Sequence, residues 1–535
     1  MNADSIITNA KVYTVDPGQP HAEAVAISGN RIAGVGTEAE IASLRGPNTE
    51  IIDGQGKTLL PGLIDSHFHL YMGSMGLGAL QLEDVTSLAE LSERIRQYVA
   101  DHPNQLWIEG QGLAYNIVDS GQPITRHHLD AILPDRLIIL RSIDLHTAWV
   151  NTIVLEQADI FHGRALPSPA EVVMGVDGLA TGQLNESDAM SIVTDLMPQP
   201  SHSERLDLLR QGLARLATFG ITSIHNMFGD SHQFELYAQL EEAGDLSCRL
   251  YVPYHFTPEM SVHAIEREAI PLRAAYQSDM LRGGSIKIFM DGVIESYTSL
   301  MLEPYANGSH SLGDALFTAE QFNEIAAQAD QHGFQIKVHA IGDGAIRRTL
   351  DGFAHAQTVN GMRDSRHRIE HIELLHNDDL PRFTESGVLA SMQPLHASRP
   401  DIGYYENWMH CVGAERYHAA FRWRDLRNVG VPICLGSDWP VVTMNPYAGM
   451  EAAVNQQAWG QGLVNQALTL EETLTGYTRA GAYAEFMEER KGMIRLGMLA
   501  DLVLLDVDLF AIEPTALKEV RPLMTMCDGK VVYQQ

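Results

Sequence analysis

Scarcity defines this chain first. Four cysteines in 535 residues (Cys248, Cys411, Cys434, Cys527) stand far apart, with no Cys-x-x-Cys pair. This argues against a disulfide framework and a thiolate zinc site, and fits a reducing, cytoplasmic setting. No apolar run approaches the ~18–20 residues a membrane helix needs, so no membrane association is expected. The opening stretch MNADSIITNAKVYTV has no basic region followed by an apolar core, and alternates like a strand instead of reading as a secretory signal. Positive charge is also short: 37 Lys+Arg against 68 Asp+Glu leave a net charge of −31. Such a chain repels phosphate backbones, which speaks against a nucleic-acid partner. There is no internal repeat and no low-complexity tract.

What is present suits an ordinary globular enzyme: 45% hydrophobic and 20% charged residues. The length allows one large barrel and a satellite. Residues 5–14 and 23–35 alternate as short strands with turn signals at Asp16-Pro17-Gly18 and Gly29-Asn30, and residues 499–507 and 523–533 share that texture. The two ends, 1–58 plus 490–535, are therefore expected to pair into one small β domain. Between them, residues 59–489 alternate strand and helix patterns, which predicts an α/β parallel sheet. Strands are expected at 59–69, 221–227, 249–255, 284–290, 335–341, 367–373, 388–394 and 431–438. Eight is the number that closes a TIM (β/α)8 barrel. About 150 residues separate the first two strands, far beyond an ordinary connection, so a subdomain is inserted at about 75–200. It carries strands at 105–109, 137–142 and 171–174 and a helix near 148–157, and is expected to roof the catalytic face.

The stretch Pro61-Gly62-Leu63-Ile64-Asp65-Ser66-His67-Phe68-His69-Leu70 organises the rest. Its apolar run reads as a buried strand closed by two histidines at alternate positions. Side chains alternate faces along a strand, so His67 and His69 point the same way, roughly 6.6 Å apart. Two such imidazoles can grip one metal ion, each nitrogen about 2.0–2.1 Å from it. An arbitrary His-x-His is more often two ordinary histidines, so the reading needs partners. Lys287 lies inside the fourth strand, His339 ends the fifth, His371 the sixth and Asp438 the eighth. In a closed barrel those ends ring one mouth. Singly, such a lysine usually snorkels, a strand histidine usually packs, and an aspartate after Gly-Ser usually starts a turn. Taken in order, His-x-His, Lys, His, His, Asp points to a metal centre.

These segments resemble the amidohydrolase superfamily of metal-dependent hydrolases, and more closely its amidohydrolase-3 group, which includes N-substituted formamide deformylases. The matching residues are 61–69, Ile286–Gly292, Val338–Asp343, Arg368–His371, Gly436–Pro440, the tail Gly497–Val503 and, in the insertion, Thr181–Glu186. The resemblance implies a TIM barrel with a composite β-sandwich built from both termini. It implies that His67 and His69 bind one divalent metal, with Asp438 contacting it, and that His339 and His371 bind a second. Lys287 would bridge the two through a CO2-derived carboxyl group, since a free ammonium cannot ligate a cation whereas its carbamate offers two anionic oxygens. Two ions so bridged lie about 3.5–4 Å apart. Zinc is the default for such ligands; a single ion, or manganese, iron or cobalt, are the alternatives.

The resemblance further implies hydrolysis of a carbon–nitrogen bond in a small-molecule N-substituted amide or formamide. The metal would lower the pKa of its bound water from 15.7 toward ~7 and so create hydroxide. Asp438 would be the catalytic residue, taking that water's proton and delivering it to the leaving amine. The alternatives are a deaminase or cyclic-amide hydrolase on the same scaffold and, further behind, a non-catalytic regulator, which predicts missing ligands. Superfamily members often form dimers, which leaves a homodimer open. Candidate substrate-binding residues are His146, reaching in from the roof, Trp439 as a pocket wall, and Asp291 at the pocket mouth with Glu295 and Tyr297. His225 is expected to face the barrel interior as packing, and His127-His128 to lie on the surface.

Overall fold

The computed structural model describes residues 2–535 except 119–121, 144–145, 167–169, 307, 309 and 398–404. The chain packs as two units, one of residues up to 69, 213–439 and 443–535, the other of residues 70–212 with 440–442.

At the centre of the first unit are eight parallel strands: β1 (Leu63–Phe68), β2 (Ile221–Asn226), β3 (Arg249–His255), β4 (Leu281–Phe289), β5 (Gln335–Ala340), β6 (Arg368–His371), β7 (Leu389–Met392) and β8 (Ile433–Leu435). They pair in chain order. Beyond β8 the chain bridges back to β1 at Phe68 and Trp439, where Asp438 N–H donates to His67 O (2.7 Å) and His69 N–H to Trp439 O (3.0 Å). This closes the sheet into a TIM barrel. Strands covered on both faces read as continuous apolar runs, and Ile286, Ile288, Ile336, Val338 and Ile369 are all fully buried. Side-chain caps set several of the helix starts. Asp230 accepts the Gln233 N–H to start the helix Ser231–Ala243, which ends at Gly244 in the left-handed region (φ 76°).

The last two strands are shorter than their sequence runs suggest. After Met392 the chain turns through a 3-10 segment at Pro394–His396. After Leu435 it bends at Gly436, where a Cβ would collide with the His67 backbone nitrogen and the Asp65 carboxylate. Glycine there lets the end of β8 press against β1.

Both termini add two sheets to this unit. Ser5–Thr8 lies between Ala24–Ser28 and Glu50–Asp53. Thr58–Pro61 lies between Lys11–Tyr13 and Leu502–Leu505, with Pro522–Cys527 and Lys530–Gln534 beyond. Ile7, Val12, Val25, Ile27, Leu59, Leu502 and Met526 share their core. Arg249 of β3 ties that layer to the barrel through a two-pronged contact with Asp501 (2.8 and 2.9 Å) and one with Asp528 (2.9 Å).

The second unit has its own six-stranded sheet, ordered Glu171–Met174, Ala180–Asn185, Thr147–Val150, Leu137–Ser142, Trp107–Leu113 and Leu80–Gln81. Alternation sends Ile138 and Leu140 to one core and Ile139 to the other. The helix expected near 148–157 begins only at Thr152; Thr147–Val150 is a strand, because its backbone pairs with both Leu137–Ser142 and Ala180–Asn185. His127 is exposed as expected, but His128 is half-buried and its Nδ1 accepts the Thr125 N–H (3.0 Å), capping the helix Arg126–Ile132. Among the described residues no helix is long and apolar enough to cross a membrane.

Candidate metal centre

β1 presents His67 from its last turn of pleat and His69 just beyond, with ring centroids 5.5 Å apart. Asp438 follows β8 and sends Oδ1 between them, 3.0 Å from His69 Nε2 and 3.3 Å from His67 Nε2. Despite those distances Oδ1 makes no aligned hydrogen bond. The three donor atoms instead converge on one small space. His371 at the end of β6 sits 4.7 Å from the His67 ring and 4.5 Å from that of His339 at the end of β5 (centroid to centroid). Lys287 in β4 is fully buried; its Nζ lies over the Phe289 ring at 4.6 Å and has no hydrogen-bond partner among the described residues. The ends of β1, β4, β5, β6 and β8 thus bring the sequence-predicted set to one end of the barrel.

Burial decides the charge states. Loss of solvent lowers the pKa of His69, His339 and His371, so all three stand neutral, as ligands must be. Burial brings the Lys287 ammonium down to about 8. It would raise Asp438, yet the adjacent His67 and His69 rings hold that carboxyl well below the usual range.

Behind the rings stands a chain of buried charges. Glu370 Oε2 is 2.8 Å from His67 Nδ1, and its Oε1 accepts from Arg368 Nε at 2.6 Å, with all three side chains at 0–1% exposure. Arg368 keeps Glu370 ionised against the cost of burial, and Glu370 fixes His67 with Nδ1 inward and Nε2 toward Asp438. Arg368 continues to His225 Nδ1 (2.7 Å), so His225 is an interior link. Asp65 accepts the Ser437 N–H (3.0 and 3.1 Å) and the His67 N–H (3.1 Å), tying the loop that carries Asp438 to β1; burial pushes its carboxyl up to about 6.

Backbone strain gathers at the same place. His371 (φ 75°), Ile372 (φ 53°) and Asp438 (φ 66°) are left-handed. Each costs about 1–3 kcal/mol and persists only where the surroundings dictate it.

The substrate-binding candidates fare differently. Asp291, expected at the pocket mouth, is instead buried behind His339. Its oxygens take His339 Nδ1 (3.2 Å) and the N–H groups of Ile341 (3.1 Å), Gly342 (3.0 Å) and Leu300 (3.1 Å), so it orients a histidine. Trp439 is buried and stacks on Phe68 (5.0 Å). His146 belongs to the inserted unit, where its Nδ1 is 2.9 Å from Glu186 Oε2. Tyr297 packs edge-on against Tyr305.

One residue at the centre escaped the sequence reading. His396, in the turn after β7, forms a second convergent donor group with His371 and Asp438. A single histidine in a loop carries no pattern that would have marked it. Glu370 and Arg368 did leave a signal: charged residues two apart within an apolar strand face the same interior.

The unpartnered Lys287 amine, the neutral imidazoles and the ionised Asp438 suit a divalent cation, and the residues present fit one. Residues 50–533 match the amidohydrolase family, and the chain belongs to it. Over 99% of this chain it is 27% identical to Protein LONG AFTER FAR-RED 3 of Arabidopsis thaliana, covering 92% of that protein. It is also 27% identical to the N-substituted formamide deformylase of Arthrobacter pascens, covering 99% of this chain and 98% of that one. An uncharacterized metal-dependent hydrolase from Pyrococcus furiosus superposes with a TM-score of 0.73 at 25% identity, over 96% of this chain and 99% of its own. Fold and family together make this chain a metal-dependent hydrolase of the amidohydrolase superfamily, an enzyme of carbon–nitrogen bonds.

Proposed function

We propose that the chain hydrolyses the C–N bond of a small N-substituted amide, with N-substituted formamides as the first class to test. The observation that carries this is the convergence of His67, His69 and Asp438 Oδ1 on one space at the barrel's end. The deformylase relative supports the formamide class. In this reading His67, His69 and Asp438 would hold one ion, and His339 and His371 would hold a second. Zinc is the ion these donors favour. When bound, a divalent metal lowers the pKa of a water from 15.7 toward ~7 and polarises the scissile carbonyl.

The chain's own groups supply the rest. Lys287, whose ammonium burial brings down to about 8, would supply the lone pair that takes up CO2 with release of a proton, and its carbamate would give the site two further anionic oxygen donors. Asp438 takes the proton of the attacking water as the new C–O bond forms, then gives it to the nitrogen as the C–N bond breaks, so the amine departs neutral. Glu370 and Asp291 hold His67 and His339 in the orientation that binding requires. The four buried, unpaired cysteines support a cytoplasmic setting.

The test combines elemental analysis of the purified protein with a panel of N-formyl and N-acyl amines assayed for released amine. Tightly bound transition metal with amine release from the formamides supports the reading. A metal-free preparation, or a metal-loaded one that releases ammonia only from amidines or opens only cyclic amides, refutes it.

A further inference from the structure

We propose that His396 is a catalytic residue whose Nε2–H donates a hydrogen bond to the acyl oxygen of the substrate; this rests on the amide-hydrolase reading above. His396 closes the single 3-10 turn Pro394–His396 after β7, with its backbone N–H on Gln393 O (3.0 Å). Its ring lies parallel to that of His371 (8°, centroids 5.8 Å apart). The turn and the stacking together fix where the ring points.

That direction is the reacting space. His396 Nε2 is 3.7 Å from Asp438 Oδ2, on the opposite oxygen from the one that His67 and His69 approach. At 3.7 Å the two atoms are not hydrogen-bonded to each other. Two polar atoms so separated can each reach a third atom about 2.8 Å away, which is the space a substrate oxygen needs. Nε2 has no hydrogen-bond partner among the described residues, although it is shut off from solvent. A buried N–H left unpaired is costly, and a ligand oxygen removes that cost. We assign the ring proton to Nε2, the nitrogen that faces the Asp438 carboxylate, which makes it the donor. On the far edge, Nδ1 lies 3.9 Å from Glu373 Oε1, and the other Glu373 oxygen accepts from Trp408 Nε1 (2.8 Å).

The step balances without consuming His396. Water oxygen bonds to the acyl carbon, the C=O electron pair moves onto the acyl oxygen, and Asp438 takes the water's proton. Asp438 is therefore neutral while the acyl oxygen carries charge, so the two do not repel, and the Nε2–H meets the charge. When the C=O re-forms, the C–N bond breaks and its nitrogen takes the proton from Asp438. A preorganised donor of this kind contributes about 10²–10³-fold to turnover.

The experiment titrates the metal-loaded protein with methylphosphonate, a tetrahedral stand-in for the hydrated acyl group, by calorimetry, with metal content measured on the same samples. His396→Asn places its amide nitrogen short of the Nε2 position and is expected to weaken methylphosphonate about 10- to 100-fold with metal content unchanged. His396→Gln, whose amide nitrogen reaches that position, is expected to recover part of the loss. On a turned-over formamide, the Asn variant should lower kcat and leave KM within about twofold. Wild-type affinity in the Asn variant overturns the proposal. Loss of a metal equivalent in either variant overturns it too, by making His396 a ligand. A metal-loaded wild type that binds no methylphosphonate refutes the amide-hydrolase reading itself, and the proposal with it.

Discussion

Replacing Glu370 with glutamine tests the buried chain behind His67. The substitution keeps the volume and one acceptor oxygen but removes the charge that faces both Arg368 (2.6 Å) and His67 (2.8 Å). Arg368 and Glu370 are both fully buried. Stripping one partner from such a pair costs about 3–5 kcal/mol, and the retained amide oxygen puts the expected loss near the lower bound, about 3 kcal/mol. The second effect is on the metal. His67 donates from Nδ1 to a carboxylate, which raises the basicity of Nε2; losing such a partner lowers metal affinity about 10- to 100-fold, or about 1.4–2.7 kcal/mol. Competition for zinc against a chromophoric chelator reads the second number, and denaturant unfolding of the metal-free protein reads the first. Zinc affinity in Glu370→Gln within about twofold of wild type would refute the idea that Glu370 acts on the metal through His67.

Asp438→Asn keeps the shape and a neutral ligand oxygen, so metal should stay while amine release falls by about 10²–10⁴-fold; near-normal turnover would remove Asp438 from the proton path. On the two-ion reading proposed above, Lys287→Ala should reduce bound metal from two equivalents to one, as measured by elemental analysis, and full loading would dismiss the carbamate bridge. Because burial lowers the Lys287 ammonium to about 8, the reactive amine grows about tenfold per pH unit below that value. Recovery of CO2-depleted apoprotein with metal, at a dissolved CO2 concentration held constant across the pH series, should therefore accelerate up to about pH 8 and then level, whereas a flat profile contradicts the assignment. Glu472 reports on acid stability. Burial would raise it, but bonds from Arg424 (2.8 and 3.0 Å), the Thr469 N–H (2.9 Å) and Arg427 (2.9 Å) hold it at about 2 against 4.5. Its folded-state pKa is depressed, so its contribution is complete above pH 4.5 and is lost as the pH falls toward 2. Glu472→Gln should flatten the fall of the unfolding midpoint across that interval; an unchanged slope would assign the acid sensitivity elsewhere.

Much of the barrel could be read from the chain because parallel strands buried on both faces write themselves as apolar runs, as in Ile286–Phe289 and Ile336–Ala340. Lys287, His339 and His371 stood out as polar breaks at or near the ends of such runs, and all strand ends of a closed parallel barrel face one way. The same logic misjudged Asp291. Its place after β4 marked it for the mouth, but the backbone amides of Ile341 and Gly342, from the loop after β5, capture it inside. The strand at Thr147–Val150 was missed because its partners, Leu137–Ser142 and Ala180–Asn185, flank it only once the insertion has folded.

Taken alone, the amino-acid order determined a barrel of eight strands, a β layer from both ends, and the residue types offered to a cation, since spacing along a strand is a local property that alternation makes legible. Tertiary structure alone decided that Asp438 Oδ1 lands between His67 and His69, that Glu370 and Arg368 back His67, that His371 and Asp438 are held left-handed, and that His396 turns toward the same space. The contacts that Asp438 and Glu370 make with the opening histidines are distances across the barrel between residues hundreds of positions apart. They are set by closure, by the Gly436 contact with β1 and by burial, and none of these has a signature within any short stretch of chain.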